Sequence, residues 1–191
     1  LDLIGRRHTV EQIRQAYYLA RDLGFDNINM DLILGLPQET IEDVRQTMEE
    51  IRALGPDNIT VHSLAIKRAA RLNILWEQYA HMSMENSDET MAVAAETASK
   101  LGLFPYYLYR QKNMAGNLEN VGYAAPGKEG LYNILIMEEK QSIVAVGAGA
   151  TTKAVRPDGR IERADNVKDI ELYLSRVDEM IERKRRLFDW L

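Results

Sequence analysis

The sequence predicts an α/β protein in which parallel strands joined by crossover helices are followed by a small α+β domain. Three features carry that prediction. Helical spacing of apolar residues alternates with short apolar runs through residue 66. Capping residues and glycines mark each change of pattern. After about residue 102 the alternation gives way to aromatic-rich runs separated by turn residues.

The elements follow in order. Thr9 and Gln12 have the spacing of a capping box, and Val10, Ile13, Tyr17 and Ala20 follow at helical intervals as far as Gly24, which suits a helix C-terminus. A strand is expected over 27–34. A second helix starts at Thr40, with Asp43 as capping partner and Ile41, Val44, Met48 and Ile51 on its buried face, and stops at Gly55-Pro56. A second strand is expected over 59–66. Helix, strand, helix and strand with short connections require parallel strands. Ser87 caps a third helix carrying Met91, Ala94, Ala98 and Leu101, closed by Gly102. Strands are expected over 104–110, 132–137 and 143–146, with Glu139-Lys140-Gln141-Ser142 turning between the last two. Pro157-Asp158-Gly159 is a turn, because glycine tolerates positive φ. One helix over 167–190 closes the chain, with Ile170, Leu174, Val177 and Ile181 in one stripe. The domain boundary is expected within 102–130, giving a first domain of 1–101 and a second of 102–191.

Composition narrows the function. The 191 residues carry 24 Lys and Arg against 29 Asp and Glu, a net charge of −5, which argues against a nucleic-acid-binding domain. A chain of this size buries roughly 70% of its unfolded surface, enough for a core. No apolar run reaches the roughly 18 residues of a membrane helix, and no signal-peptide pattern opens the sequence. The absence of cysteine excludes disulfides, thiolate nucleophiles and iron–sulfur ligation within these residues. The chain opens on Leu1 rather than Met, so it is expected to be a piece of something longer.

Asp31 is the most informative polar residue. On the first strand Ile28, Met30, Leu32 and Leu34 share one face, and Asn27, Asn29 and Asp31 the other. Parallel strands are normally buried on both faces, so Asn29 and Asp31 require partners. In a barrel, a position near the C-terminal end of the strand is where functional side chains lie. A helix-capping or ion-paired Asp is the competing reading, and the residues alone leave both open. Gly35-Leu36-Pro37 reads as an ordinary tight turn, and Arg6 and Arg7, viewed alone, as a solvated basic turn. The run Val146 to Lys153 lacks the Gly-Lys-Ser/Thr ending of a phosphate loop, and no helix follows it. His8, His62 and His81 show no metal-ligand spacing; Tyr106, Tyr107 and Tyr109 read as sheet packing; Arg183 to Arg186 reads as the solvated end of a helix. No metal site and no assignable catalytic residue emerges.

Three segments read continuously: Ile4-Gly5-Arg6-Arg7-His8-Thr9, Gly24 to Ile33, and Gly35-Leu36-Pro37-Gln38-Glu39-Thr40. With Asn120-Val121-Gly122-Tyr123 and Gly147-Ala148-Gly149-Ala150, they resemble the oxygen-independent coproporphyrinogen III oxidase family of radical S-adenosylmethionine enzymes. The resemblance covers essentially the whole chain and is strongest over 1–66. It implies the C-terminal βα units of a partial TIM-like barrel, then an α+β domain. It implies S-adenosylmethionine and a [4Fe–4S] cluster in the complete protein, with the cluster's cysteine loop missing here. The implied reaction is oxidative decarboxylation of coproporphyrinogen propionates to vinyl groups, giving protoporphyrinogen, for which this piece alone is inactive. By position the resemblance assigns Arg6, Asp31 and Ala65 to S-adenosylmethionine, Arg6 suiting its carboxylate, Asp31 a ribose hydroxyl and Ala65 a backbone contact. Thr151 aligns with a further contact but differs in type. A porphyrinogen or haem ligand and a reductant protein are the implied partners. Relatives that handle haem without oxidase activity supply the alternative, a haem-binding or haem-delivery protein. An open parallel edge invites pairing with another copy, so a homodimer is also expected.

Overall fold

A computed structural model of the chain describes residues 6–64, 87–109 and 119–189. It divides into two compact units, 1–130 and 131–191.

The first unit is a four-stranded mixed sheet with helices on one face. Its elements are α1 (Val10–Asp22), β1 (Asn29–Leu34), α2 (Ile41–Leu54), β2 (Asn58–Ser63), α3 (Asp88–Lys100), β3 (Phe104–Tyr109) and β4 (Asn120–Ala124). The strand order is β1-β2-β4-β3, with β1 and β2 parallel and the other pairs antiparallel. The α/β reading therefore holds, and the sheet is open, not a closed barrel. Thr9, Thr40 and Ser87 each accept from the backbone of the third helical residue, completing three capping boxes. Gly55 ends α2 in the left-handed conformation, at φ +65°.

One sheet face is closed. Leu32 and Leu34 of β1, Ile59 and Val61 of β2, and Val121 and Tyr123 of β4 pack against Val44, Met48 and Ile51 of α2 and Ala94 and Ala98 of α3. Val44, Ile59 and Val61 are fully buried, each worth about 1.5–3 kcal/mol by transfer. Alanine at two α3 positions brings the helix close to the sheet. Tyr17 stitches α1 to this layer: its hydroxyl donates to the Gly55 carbonyl at 2.9 Å and accepts from Arg21. Arg21 pairs with Asp57 at 2.7 Å, and Asp57 accepts from the Ile28 amide at 2.9 Å. An apolar groove of about 480 Å3, lined by Ile13, Tyr17, Ala20, Met30 and Leu54, runs between α1, β1 and α2.

The unit boundary falls at 130, past the expected 101/102 division, because β3 and β4 hydrogen-bond into the first sheet. The second strand is described only through Ser63, and its predicted continuation over 65–66 lies outside the described residues.

The second unit contains α4 (Leu131–Met137), β5 (Thr151–Val155), β6 (Ile161–Asp165), α5 (Ile170–Ser175) and α6 (Val177–Leu187). Here four expectations fail. Residues 132–137 are helical; a short run that is apolar but for Asn133 has no periodicity to separate helix from strand. With a helix there, 139–142 is not a hairpin turn: Glu138 and Lys140 donate back to its last carbonyls. Over 143–146 only a single bridge forms, Ile143 to Lys153. The closing helix breaks at Arg176, whose guanidinium grips Glu179 at 2.7 Å while Asp178 and Glu179 supply the acidic first turn of a new helix. The stripe of Ile170, Leu174, Val177 and Ile181 is exposed in this unit. The Pro157-Asp158-Gly159 turn is present, joining β5 to β6 with Gly159 at φ +83°. No helix among the described residues is long and apolar enough to cross a membrane.

Candidate functional site

The second face of the four-stranded sheet is open, and the polar side chains gather there. Alternation places Asn29, Asp31 and Ile33 of β1 on it, opposite Asn58, Thr60 and His62 of β2. Thr60 in turn lies opposite Gly122 of β4, and Gly122 opposite Tyr107 of β3. Both faces of β1 were expected to be buried. Among the described residues the helices cover one face only, so the Asp31 side chain is 66% exposed and needs no buried partner. Asp31 also sits third of six residues, nearer the middle of β1 than its C-terminal end.

Three side chains make a connected row. Asn29 donates from Nδ2 to Asp31 Oδ1 at 2.7 Å. Thr60 donates from Oγ1 to Asn29 Oδ1 at 3.0 Å. Beside the row the Tyr107 ring covers Gly122, where any Cβ would collide with ring carbon Cε1. Burial pushes the Tyr107 phenol up; Thr60 pulls it partly back, and Tyr106 and Asp31 push it up again. It therefore stays a proton donor at neutral pH. His62 Nε2 stands 4.0 Å from Asp31 Oδ1. Asp31 Oδ2 has no hydrogen bond among the described residues.

At the end of β1 the chain turns sharply through Gly35, at φ +83°, and Gln38, at φ +65°. The Glu39 carboxylate accepts from the Gly35 and Leu36 amides at 2.7 and 3.2 Å and so fixes this turn. Burial pushes its pKa up despite those two donors.

Of the residues assigned from sequence, Asp31 lies in the row. Arg6 is exposed ahead of α1, and no hydrogen bond or ion pair joins it to Asp31 among the described residues. Ala65 lies outside the described residues, as does His81. Thr151 begins β5 in the second unit, where its hydroxyl donates to Asp165 at 2.6 Å. The glycine run beside it spends its amides internally: Gly147 donates to the Tyr173 hydroxyl and Gly149 to the Val167 carbonyl, leaving no anion cradle at those positions. Sequence reading missed Thr60, His62, Tyr107 and Gly122 as site residues. The signal was present in β2, where Asn58, Thr60 and His62 alternate with Ile59 and Val61.

The donor chemistry separates the two implied cofactors. With no cysteine in the chain, and no group of three or more His, Asp or Glu able to hold a metal among the described residues, a [4Fe–4S] cluster does not fit here. A hydroxyl-bearing ligand does fit Asp31, whose Oδ1 is held and whose Oδ2 is open.

The chain is also similar to known proteins. The radical SAM superfamily model matches residues 1–51. The chain is 43% identical to the oxygen-independent coproporphyrinogen-III oxidase-like protein HemZ of Bacillus subtilis, over 99% of this chain and 39% of that protein. It is 24% identical to the haem chaperone HemW of the same organism, over 78% of this chain and 37% of that protein. The coproporphyrinogen III oxidase HemN of Escherichia coli, a radical SAM enzyme, shares the fold with a TM-score of 0.62 at 19% identity, covering 93% of this chain and 40% of HemN. The chain thus spans about two fifths of the length of the relatives it matches. With the Asn29-x-Asp31-Leu32-Ile33-x-Gly35-Leu36-Pro37 segment on β1 and its turn, the chain is similar to the oxygen-independent coproporphyrinogen-III oxidase-like proteins and carries the radical SAM superfamily match at its start.

Proposed function

We propose that this chain is part of a cytoplasmic radical SAM oxidoreductase of porphyrin biosynthesis that decarboxylates coproporphyrinogen III propionates to vinyl groups, and that its open sheet face holds S-adenosylmethionine. One observation carries the reading: Asp31 stands exposed on that face with Oδ1 fixed by Asn29 and Oδ2 open. An ionised carboxylate only accepts hydrogen bonds, so it suits a ribose hydroxyl. Arg6 supplies a guanidinium for the ligand's carboxylate and Ala65 a backbone contact. When bound, S-adenosylmethionine supplies the radical that removes a hydrogen atom from the substrate propionate. This chain's residues orient the ligand and shield one face of the site. The cluster's ligands and the reductant that feeds it come from outside these residues, and pairing of copies through the β1 edge belongs to the same reading.

The test is calorimetry of S-adenosylmethionine on the cluster-loaded intact protein. Asp31→Asn is expected to weaken binding by about 10- to 100-fold, the range of a lost charge-assisted hydrogen bond. Unchanged affinity would sink the assignment. The isolated chain is expected to bind weakly, since it holds only part of the site. The similarity to a haem chaperone supports a second reading, haem binding or delivery on the same scaffold. Haem titration set against a coproporphyrinogen turnover assay separates the two.

A further inference from the structure

We propose that Thr60 and Asn29 form a one-directional hydrogen-bond relay that positions the Asp31 carboxylate, so that Oδ2 is presented to a ligand hydroxyl. This rests on the reading of Asp31 as the ribose contact and adds two positioning residues drawn from two strands.

Donor inventory fixes the direction. The Asp31 carboxylate accepts only, so Asn29 must turn its NH2 group toward Oδ1. That leaves Asn29 Oδ1 facing Thr60, which must donate to it. Thr60 is 2% exposed and has one proton, which it spends on Asn29. Each bond thereby dictates the next, and such chains polarise in one sense. The result at Asp31 is asymmetric. Oδ1 is occupied from the sheet side, and Oδ2 remains for a ligand.

The relay sits in a sheltered part of the sheet. The Tyr107 ring lies over β4 because position 122 is glycine; any Cβ there would collide with the ring. A register shift between Pro105 and Tyr107 sets which β3 side chain lies over that gap. Thr60, opposite Gly122, is buried, so water does not compete for its hydroxyl.

The experiment measures binding of S-adenosylmethionine and of its 2′-deoxyribose analogue to the cluster-loaded intact protein, by calorimetry. Folding is checked by circular dichroism. Thr60→Val, nearly isosteric, is expected to weaken S-adenosylmethionine about fivefold, and Thr60→Ser, which keeps the hydroxyl, to restore it to within about twofold. The deoxy analogue is expected to bind both variants alike, because the relay acts only through the hydroxyl contact. Were Thr60→Val not to fold, Asn29→Leu carries the test. Wild-type affinity in folded Thr60→Val or Asn29→Leu, with Asp31→Asn impaired, overturns the relay and spares the Asp31 assignment. Wild-type affinity in Asp31→Asn overturns both.

Discussion

The two faces of the four-stranded sheet are made by the same strands and differ in everything else. On one, Leu32, Leu34, Ile59 and Val61 are buried under α2 and α3. On the other, one residue along, Asn29, Asp31, Thr60 and His62 form a polar surface with a carboxylate oxygen to spare. A period of two lets one strand carry stability and chemistry at adjacent positions without compromise at either. The closed face is held by non-directional burial. The open face is held by bonds whose direction is fixed.

The largest test of that division is a pair of substitutions three residues apart on β1. Leu34 is 1% exposed, so Leu34→Ala is expected to cost about 2–5 kcal/mol in urea unfolding. Asp31→Asn, at an exposed position, is expected to stay within about 0.5 kcal/mol while weakening ligand binding. Comparable losses in stability from both would mean that the faces are not functionally separate.

A smaller effect is expected where the open face meets β4. Gly122→Ala forces the Tyr107 ring off the sheet and is expected to cost about 1–3 kcal/mol, a typical overpacking penalty. The glycine is required by clearance, since its φ is not positive. In the Tyr107→Ala background the added methyl has no ring to displace, so the two losses should fall well short of additive. Additive losses, measured by the same unfolding, would show that the ring does not occupy that gap.

How much of this was legible in the sequence follows the same physical divide. The first unit announces itself because local signals agree: Thr9, Thr40 and Ser87 cap helices whose apolar spacing already points inward, and Gly55 stops one of them. In the second unit they conflict. Leu131 to Met137 has apolar residues without a period, and the closing helix is interrupted where the Arg176 backbone leaves helical geometry at φ −121°, which spacing does not encode. At the site, Asp31 and Asn29 were visible as polar residues on an apolar strand. Tyr107 and Gly122 were not, because their meeting depends on antiparallel register and a bulge between segments far apart in the chain. Sequence could name the exposed carboxylate but not the neighbours gathered around it.

The smallest expected effect lies at the rim where the two faces end, in the turn after β1. Burial raises the folded pKa of Glu39 above its ordinary 4.5, so the folded state holds that proton more tightly than the unfolded chain. Its contribution to stability is therefore full below 4.5 and is lost as pH rises through the higher folded value. Asp57, at the other end of α2, runs the opposite way. Burial opposes its ionisation, but the Ile28 amide and Arg21 outweigh burial and lower its pKa below the ordinary 3.8, so its contribution holds above 3.8 and fades as pH falls further. Glu39→Gln keeps an oxygen for the Gly35 and Leu36 amides without burying a charge. At neutral pH it is expected to melt at or slightly above the wild type, a gain of ~0.5 kcal/mol or less after solvent screening. The difference should vanish below 4.5, where the wild-type carboxyl is protonated in both states. A variant that is destabilised at neutral pH would mean the two amides need the full carboxylate charge, and that the turn, not its burial, sets the balance.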